Sequence, residues 1–231
     1  MKLAEGVVLK SHVVIEGDTE IGSRTIVHPF AVLGGPPQHL RHKGEPTKLK
    51  IGADALIREH VTMHAGTVEG GGVTIVGDRV FFMGNSHVAH DCCIGDDVIC
   101  TNFVAIGGHA NIGKGAILGA LAGIHQFCRI GSYAFVGGCA AVTMDVIPYA
   151  SAFGNHARLG GLNIVGMKRR GLPRERIHAL RGAYQMLFGE KDTLKERVEQ
   201  VRAAYATVPE IVSILEFIDA DAPRPLMTPA R

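Results

Sequence analysis

The chain has 231 residues, 30 of them glycine and none tryptophan, and 24 Lys+Arg against 22 Asp+Glu give a formal net charge of +2. That near-balance argues against nucleic acid as the main partner, and the length is enough for one large core with a small appendage. The first residues, Met1 to Gly6, contain no apolar run, and the longest uncharged stretch, Val98 to Gly113, falls short of the roughly 20 residues of a membrane span, so no leader and no membrane insertion are expected.

From Leu3 onward an aliphatic residue returns every sixth position, at Leu9, Ile15, Ile21, Val27 and Leu33. The beat resumes at Ile51, Ile57 and Met63, then runs unbroken from Val76 to Val142. A small or β-branched residue often follows four positions later, as at Thr19, Ala55, Val98 and Ala116. An amphipathic helix would repeat every 3.6 residues and an isolated strand every two. A period of six fits a coil with three flat faces, in which three short strands close one turn and successive turns stack as parallel strands about 4.8 Å apart. A β-helix is therefore predicted over residues 1–150, interrupted by projecting loops near 34–50 and 64–75.

After Pro148 the beat stops, and residues 151–231 are predicted to form a helical unit. Pro173 to Phe188 carries one apolar face. Leu194, Val198, Val201 and Tyr205 mark a second helix, and Ile211, Ile214, Leu215 and Ile218 a third. The five cysteines, Cys92, Cys93, Cys100, Cys128 and Cys139, are odd in number and lack CxxC spacing. They read as buried small hydrophobes in a reducing, cytoplasmic setting.

In an 18-residue coil, residues 18 apart lie above one another. His90, Gly108 and Gln126 then share one column, and Asp91 and His109 the next. His87 lies just before them, and His125 occupies a place where glycine is the habit. A neutral imidazole accepts a proton near neutral pH, a neighbouring carboxylate can orient the ring, and a glycine N–H can stabilise the oxyanion of acyl transfer.

The segments HVAHDC (His87 to Cys92), GGHANIG (Gly107 to Gly113), IHQFC (Ile124 to Cys128), GNHA (Gly154 to Ala157) and KRRG (Lys168 to Gly171) together resemble the UDP-N-acetylglucosamine O-acyltransferase family. The resemblance spans essentially the whole chain. It implies a left-handed β-helix, a homotrimer with sites between subunits, and transfer of an acyl chain from acyl carrier protein to a UDP-amino sugar, the step that opens lipid A assembly. No cofactor and no metal are implied. By the same resemblance His90 is the general base, Asp91 supports it, and Gly108 supplies the oxyanion donor. His87, His109 and Gln126 line the sugar and acyl site, while Gln38, His125, Asn163, Arg169 and Arg170 contact the sugar nucleotide. Gly138 would end the acyl groove, at the top of a file of small residues with Gly84, Asn102 and Ala120, which points to a long 3-hydroxyacyl chain.

Three positions depart from the family pattern: His39 stands in place of an acid, Arg41 in place of Lys, and Val165 in place of Glu. They face the sugar nucleotide, which leaves N-acylation of a 3-amino sugar open beside O-acylation. The family has about two further coils before Leu3, so a shortened start is expected. The basic run Lys168, Arg169, Arg170, Arg174 and Arg176, with Glu175 as its one acid, is either a solvated helix entrance or a docking patch for the acidic carrier protein. From other classes, His87, His90 and His109 allow a zinc-binding carbonic anhydrase of the gamma class, and the arginines allow a non-catalytic scaffold that binds nucleotide sugar.

Overall fold

A computed structural model describes residues 1–230; Arg231, the last residue of the expected helical unit, lies outside the described residues. The predicted left-handed β-helix is present, as a three-sided prism. The first face has seven strands, from Lys2–Leu3 to Arg129–Ile130, and the third also has seven, from Val14–Ile15 to Ala141–Val142. The second runs from Val8–Leu9 through Phe135–Val136 to Ala150–Phe153 and Arg158–Leu162, nine strands in all. Pairing between successive coils is parallel, as in Ile94↔Ile112↔Ile130 and Val88↔Ile106↔Ile124↔Val142, and only the last strand of the second face, Arg158–Leu162, runs antiparallel. Residues of the six-residue beat form the buried axis: Phe82, Val88, Cys100, Ile106, Ile112 and Leu118 are each 0% exposed. Burying a side chain of this size contributes about 1.5–3 kcal/mol, so the stacked axis is the main stabilising element.

At the corners the backbone enters the left-handed region even where the residue is not glycine. One corner column consists of Asp91, His109 and Phe127, with φ of 60°, 59° and 65°. Each such residue costs roughly 1–2 kcal/mol in isolation. Inter-coil bonds offset that cost, since His109 N–H donates to the His90 carbonyl and Phe127 N–H to the Gly108 carbonyl, both at 3.0 Å. The corner thereby stacks its side chains outward in one line.

Both loop insertions leave from the edge between the third and first faces. Strands Val32–Gly35 and Lys48–Ile51 trim the first to residues 36–47, and Thr62–His64 and Val73–Val76 trim the second to 65–72, so the expected spans 34–50 and 64–75 were too wide. The strands lengthen there because Lys48–Ile51 pairs along its whole length with both neighbours.

The boundary expected at 150 falls inside the strand Ala150–Phe153, which pairs with Phe135–Val136 and then turns back antiparallel into Arg158–Leu162. Four helices follow: α1 (Ile164–Arg169), α2 (Arg174–Leu187), α3 (Leu194–Tyr205) and α4 (Pro209–Asp219). The apolar faces predicted for the last three are buried at Leu180, Val201 and Ile211, and a Thr193–Glu196 capping box starts α3. The tail then returns to the prism, bridging Leu226 to Asp145 and Pro229 to Leu159. Two cysteines correct the sequence reading. Cys93 and Cys139 are exposed, one pointing outward from a strand and the other at a corner, while Cys92, Cys100 and Cys128 are buried. Among the described residues no helix is long and apolar enough to cross a membrane.

Candidate active site

Asp91 sits on the third-to-first edge with its side chain fully buried. Its Oδ2 lies 2.8 Å from His90 Nδ1 and 3.5 Å from His109 Nε2. Thr67, in the second loop, donates its backbone N–H to Oδ1 and its hydroxyl to Oδ2, each at 2.7 Å. A carboxylate accepting at Oδ2 requires the proton of His90 on Nδ1, which leaves the Nε2 lone pair free to accept another. Gly108 stacks directly above. A Cβ there would lie 2.7 Å from His90 Cε1, so only glycine fits over the ring. The Gly108 N–H makes no hydrogen bond among the described residues.

Further imidazoles surround this pair. His39, from the first loop, meets His90 edge-on at 5.2 Å between centroids, and His109 does the same at 5.2 Å from the coil above. His109 stacks flat on Phe127 at 4.5 Å. His87 Nδ1 is 2.7 Å from the Thr62 hydroxyl, and its ring packs edge-on against His64 at 4.9 Å. Burial, reinforced by His64 and His90, pushes the His87 pKa down to about 4, so this ring is neutral at physiological pH. Burial likewise lowers the pKa values of His64 and His109. The Cys92 thiol next to Asp91 is pushed up to about 12 by burial and supplies no thiolate nucleophile.

His90, Asp91 and His109 bring ligand atoms within 4.8 Å of one another. This is not the three-histidine set of the carbonic anhydrase alternative, because Asp91 takes the place of His87. As arranged, Asp91 joins His90 at hydrogen-bonding distance, the geometry of a base and its orienting group.

The other expected residues divide among separate edges of the prism. Gln38 is exposed on the first loop, and Arg41 reaches across to Glu69 of the second at 2.6 Å, which ties the two loops together. Gln126 is exposed in the column of His90 and Gly108, and His125 sits beside it. Asn163 and Arg170 lie instead near the first-to-second edge. Asn163 caps α1 through Gly166 N–H at 2.9 Å and donates to the Tyr133 carbonyl at 3.0 Å. Arg170 donates to the Gly115 carbonyl at 2.7 Å, with its guanidinium 4.1 Å from the Tyr133 ring centre. Arg169, Arg170, Asn163 and Val165 rim a cavity of about 630 Å³ floored by Phe135 and Phe153. The file of Gly84, Asn102, Ala120 and Gly138 occupies the remaining edge, where Gly138 is exposed. Between that file and the histidines runs the third face. Its outward residues His87, Ala105, Gly123 and Ala141 line a shallow groove of about 360 Å³.

Sequence reading missed Thr67, His64, Phe127 and Arg224. Phe127 follows His109 by one coil, so the column rule already contained it. Thr67 lies in a loop outside the repeat. Arg224 comes from the tail and donates to His125 Nδ1 at 2.7 Å and to the Gln126 carbonyl at 3.0 Å, across nearly a hundred residues of chain.

Residues 145–227 match the family described as Udp N-acetylglucosamine O-acyltransferase, domain 2. An acyl-[acyl-carrier-protein]–UDP-N-acetylglucosamine O-acyltransferase of Caulobacter vibrioides is 56% identical over 99% of this chain and 87% of its own length. The protein of the same name from Rhizobium etli is 48% identical over 99% and 84%. Among solved structures, a UDP-N-acetylglucosamine acyltransferase superposes with a TM-score of 0.94 at 38% identity, covering 100% of this chain and 88% of the other. The Bacteroides fragilis enzyme superposes at 0.92 with 33% identity, over 98% and 95%.

Proposed function

The chain belongs to the UDP-N-acetylglucosamine O-acyltransferase family, and from that premise we propose that it transfers a 3-hydroxyacyl chain from acyl carrier protein to the sugar 3-hydroxyl of UDP-N-acetylglucosamine, with His90 as the base. The observation that carries this reading is the His90–Asp91 pair beneath Gly108. The sugar hydroxyl gives its proton to His90 Nε2 as its oxygen attacks the thioester carbonyl. Buried Asp91, held by Thr67, stabilises the imidazolium that forms. The Gly108 N–H receives the oxyanion of the tetrahedral intermediate, whose collapse breaks the C–S bond. The His90 proton then passes to the departing thiolate. A base of this kind contributes about 10²- to 10⁴-fold in rate. The protein supplies every group this sequence of steps needs, so no cofactor enters it.

In this reading His87, His109 and Gln126 line the sugar and acyl site, His39 and Arg41 face the sugar nucleotide, and Gln38, His125, Asn163, Arg169 and Arg170 contact it, Arg169 and Arg170 through its phosphates. The histidines and the Asn163–Arg170 group lie on different edges of one prism. A complete site therefore needs a second copy, which supports a homotrimer. In this reading the docking surface for the carrier protein is displaced from the basic run toward α2. Arg176 is paired with Glu210 and Arg170 with Gly115, whereas Lys168, Arg174, His178 and Arg181, with Glu175 as the one acid among them, rim a cavity of about 820 Å³ between α1 and α2. Use of an acyl carrier donor supports a cytoplasmic reaction, the first acylation of lipid A assembly.

The test supplies 3-hydroxyacyl carrier protein with both UDP-N-acetylglucosamine and its 3-amino analogue. Mass spectrometry and NMR of the product should show an ester at O3, and His90→Ala should lower kcat by at least about 10²-fold. Preferential amide formation on the amino sugar would overturn the oxygen acceptor, and more than about a tenth of normal activity in His90→Ala would overturn the base.

A further inference from the structure

The tail beyond α4 is held to the prism by contacts that do not involve the Arg224 side chain. Asp145 N–H donates to the Pro225 carbonyl at 2.9 Å, Met227 N–H returns to the Asp145 carbonyl at 2.8 Å, and Met227 is fully buried. Asp145 is itself fixed: its buried carboxylate accepts from Arg129 N–H at 2.8 Å and Nε at 2.6 Å, and the Arg129 guanidinium lies 4.2 Å from the Phe217 ring of α4. Arg224 immediately precedes this anchored stretch. Its guanidinium turns toward the histidine edge, onto His125 and the Gln126 peptide.

Guanidinium has donors and no acceptor, so His125 Nδ1, 2.7 Å from Arg224 Nη2, must present its lone pair. The 3.2 Å approach of His125 Nδ1 to the Gln126 carbonyl is then no hydrogen bond, and Arg224 Nε satisfies that carbonyl instead. The ring then carries a proton on Nε2 and not on Nδ1.

We propose that Arg224 is a positioning residue for the acceptor side of the site. It locks His125 as an Nε2–H donor and orients the Gln126 peptide one coil above Gly108, so that both meet an oxygen-rich, anionic ligand in a fixed geometry. The inference rests on the reading of His125 and Gln126 as sugar-nucleotide contacts. The ligand class it serves is the hydroxyl and diphosphate oxygens of the UDP-sugar, and the acyl donor is unaffected.

The test compares Arg224→Gln, Arg224→Lys, His125→Ala and the double variant Arg224→Gln/His125→Ala in the full chain. Arg224→Gln should raise KM for UDP-N-acetylglucosamine about tenfold, with kcat and the carrier protein's KM within about twofold and Tm unchanged. Arg224→Lys, a point donor that cannot span both acceptors, should restore only part of the loss. The double variant should fall clearly short of the product of the two single losses, because Arg224 acts in part through His125 and in part through the Gln126 carbonyl. Nitrogen-15 NMR of His125 should show the Nε2–H form in the parent and a mixture of tautomers in Arg224→Gln. An unmoved tautomer, a normal sugar KM in Arg224→Gln, or full additivity overturns the positioning role. A shifted tautomer combined with a normal sugar KM in His125→Ala overturns the site reading beneath it, and the inference falls with that reading.

Discussion

Thr67 places two donors on the carboxylate of Asp91, its backbone N–H on Oδ1 and its hydroxyl on Oδ2, both at 2.7 Å. Loop 65–72 is therefore part of the base. It holds the orienting carboxylate in a position where water has no access. Thr67→Val keeps the backbone donor and loses the hydroxyl, which also accepts from Gly70 N–H at 3.0 Å. The expected result is a kcat lower by about tenfold with both KM values little changed, and recovery in Thr67→Ser. Steady-state kinetics of the two variants checks this. A loss that serine fails to restore would point to loop collapse instead.

Because the histidines and the Asn163–Arg170 group occupy different edges, two defective chains should repair one another. His90→Ala and Arg169→Ala/Arg170→Ala, each nearly inactive alone, should regain activity when co-expressed, since a mixed trimer contains interfaces with both halves intact. Light scattering should report a trimer for parent and variants. Activity that stays absent in verified mixed trimers would place the whole site within one chain.

Chain length should follow Gly138. A Cβ there meets the Ala120 carbonyl at 3.1 Å, so a longer side chain must turn outward, away from the prism and across the file of small residues. Each buried methylene is worth about 0.8 kcal/mol, and blocking several should shift selectivity by about two orders of magnitude. Gly138→Met should prefer a donor several carbons shorter with the sugar's KM unchanged. Comparison of kcat/KM across a ladder of acyl carrier thioesters reads the effect, and an identical profile in both proteins would remove Gly138 from the groove.

The neutral histidines predict an acid weakness. His87 has a folded pKa of about 4, against the ordinary value of 6.5 expected in the unfolded chain. Between these values the unfolded chain binds the extra proton, so stability rises with pH through that window and is lost as pH falls from 6.5 toward 4. His64 and His109 shift in the same direction. Urea denaturation at steps between pH 7 and pH 4 should show a shallower decline in His87→Gln than in the parent. Parallel curves would mean that the ring is already solvated.

The repeat made the prism legible because stacking converts a sequence separation of 18 into vertical contact. That rule alone brings His90, Gly108 and Gln126 together, and sets Asp91 under His109. Parts of the chain outside the repeat carried no such signal. Thr67 reaches Asp91 through the fold of a glycine-rich loop, and Arg224 reaches His125 because the tail pairs with Asp145, which no local pattern encodes. The hairpin of Ala150–Phe153 and Arg158–Leu162 was hidden for another reason: it continues the second face after the six-residue beat has ended. Two cysteines went wrong because residue type was read without position: Cys93 is turned outward at the start of its strand, next to buried Cys92, and Cys139 sits at an exposed corner.

The three-faced coil behaves like a reading frame. Removing one six-residue unit ahead of His109 would leave the core period unbroken, yet it would rotate every later residue by one face. His109, Gln126 and the tail's docking strand would then arrive on the wrong edge, while the protein still stacked. Removing 18 residues, one whole turn, would restore the frame and merely shorten the prism. Loops 36–47 and 65–72 escape this constraint, because each leaves and re-enters at the same corner and changes the chain's length without changing its phase.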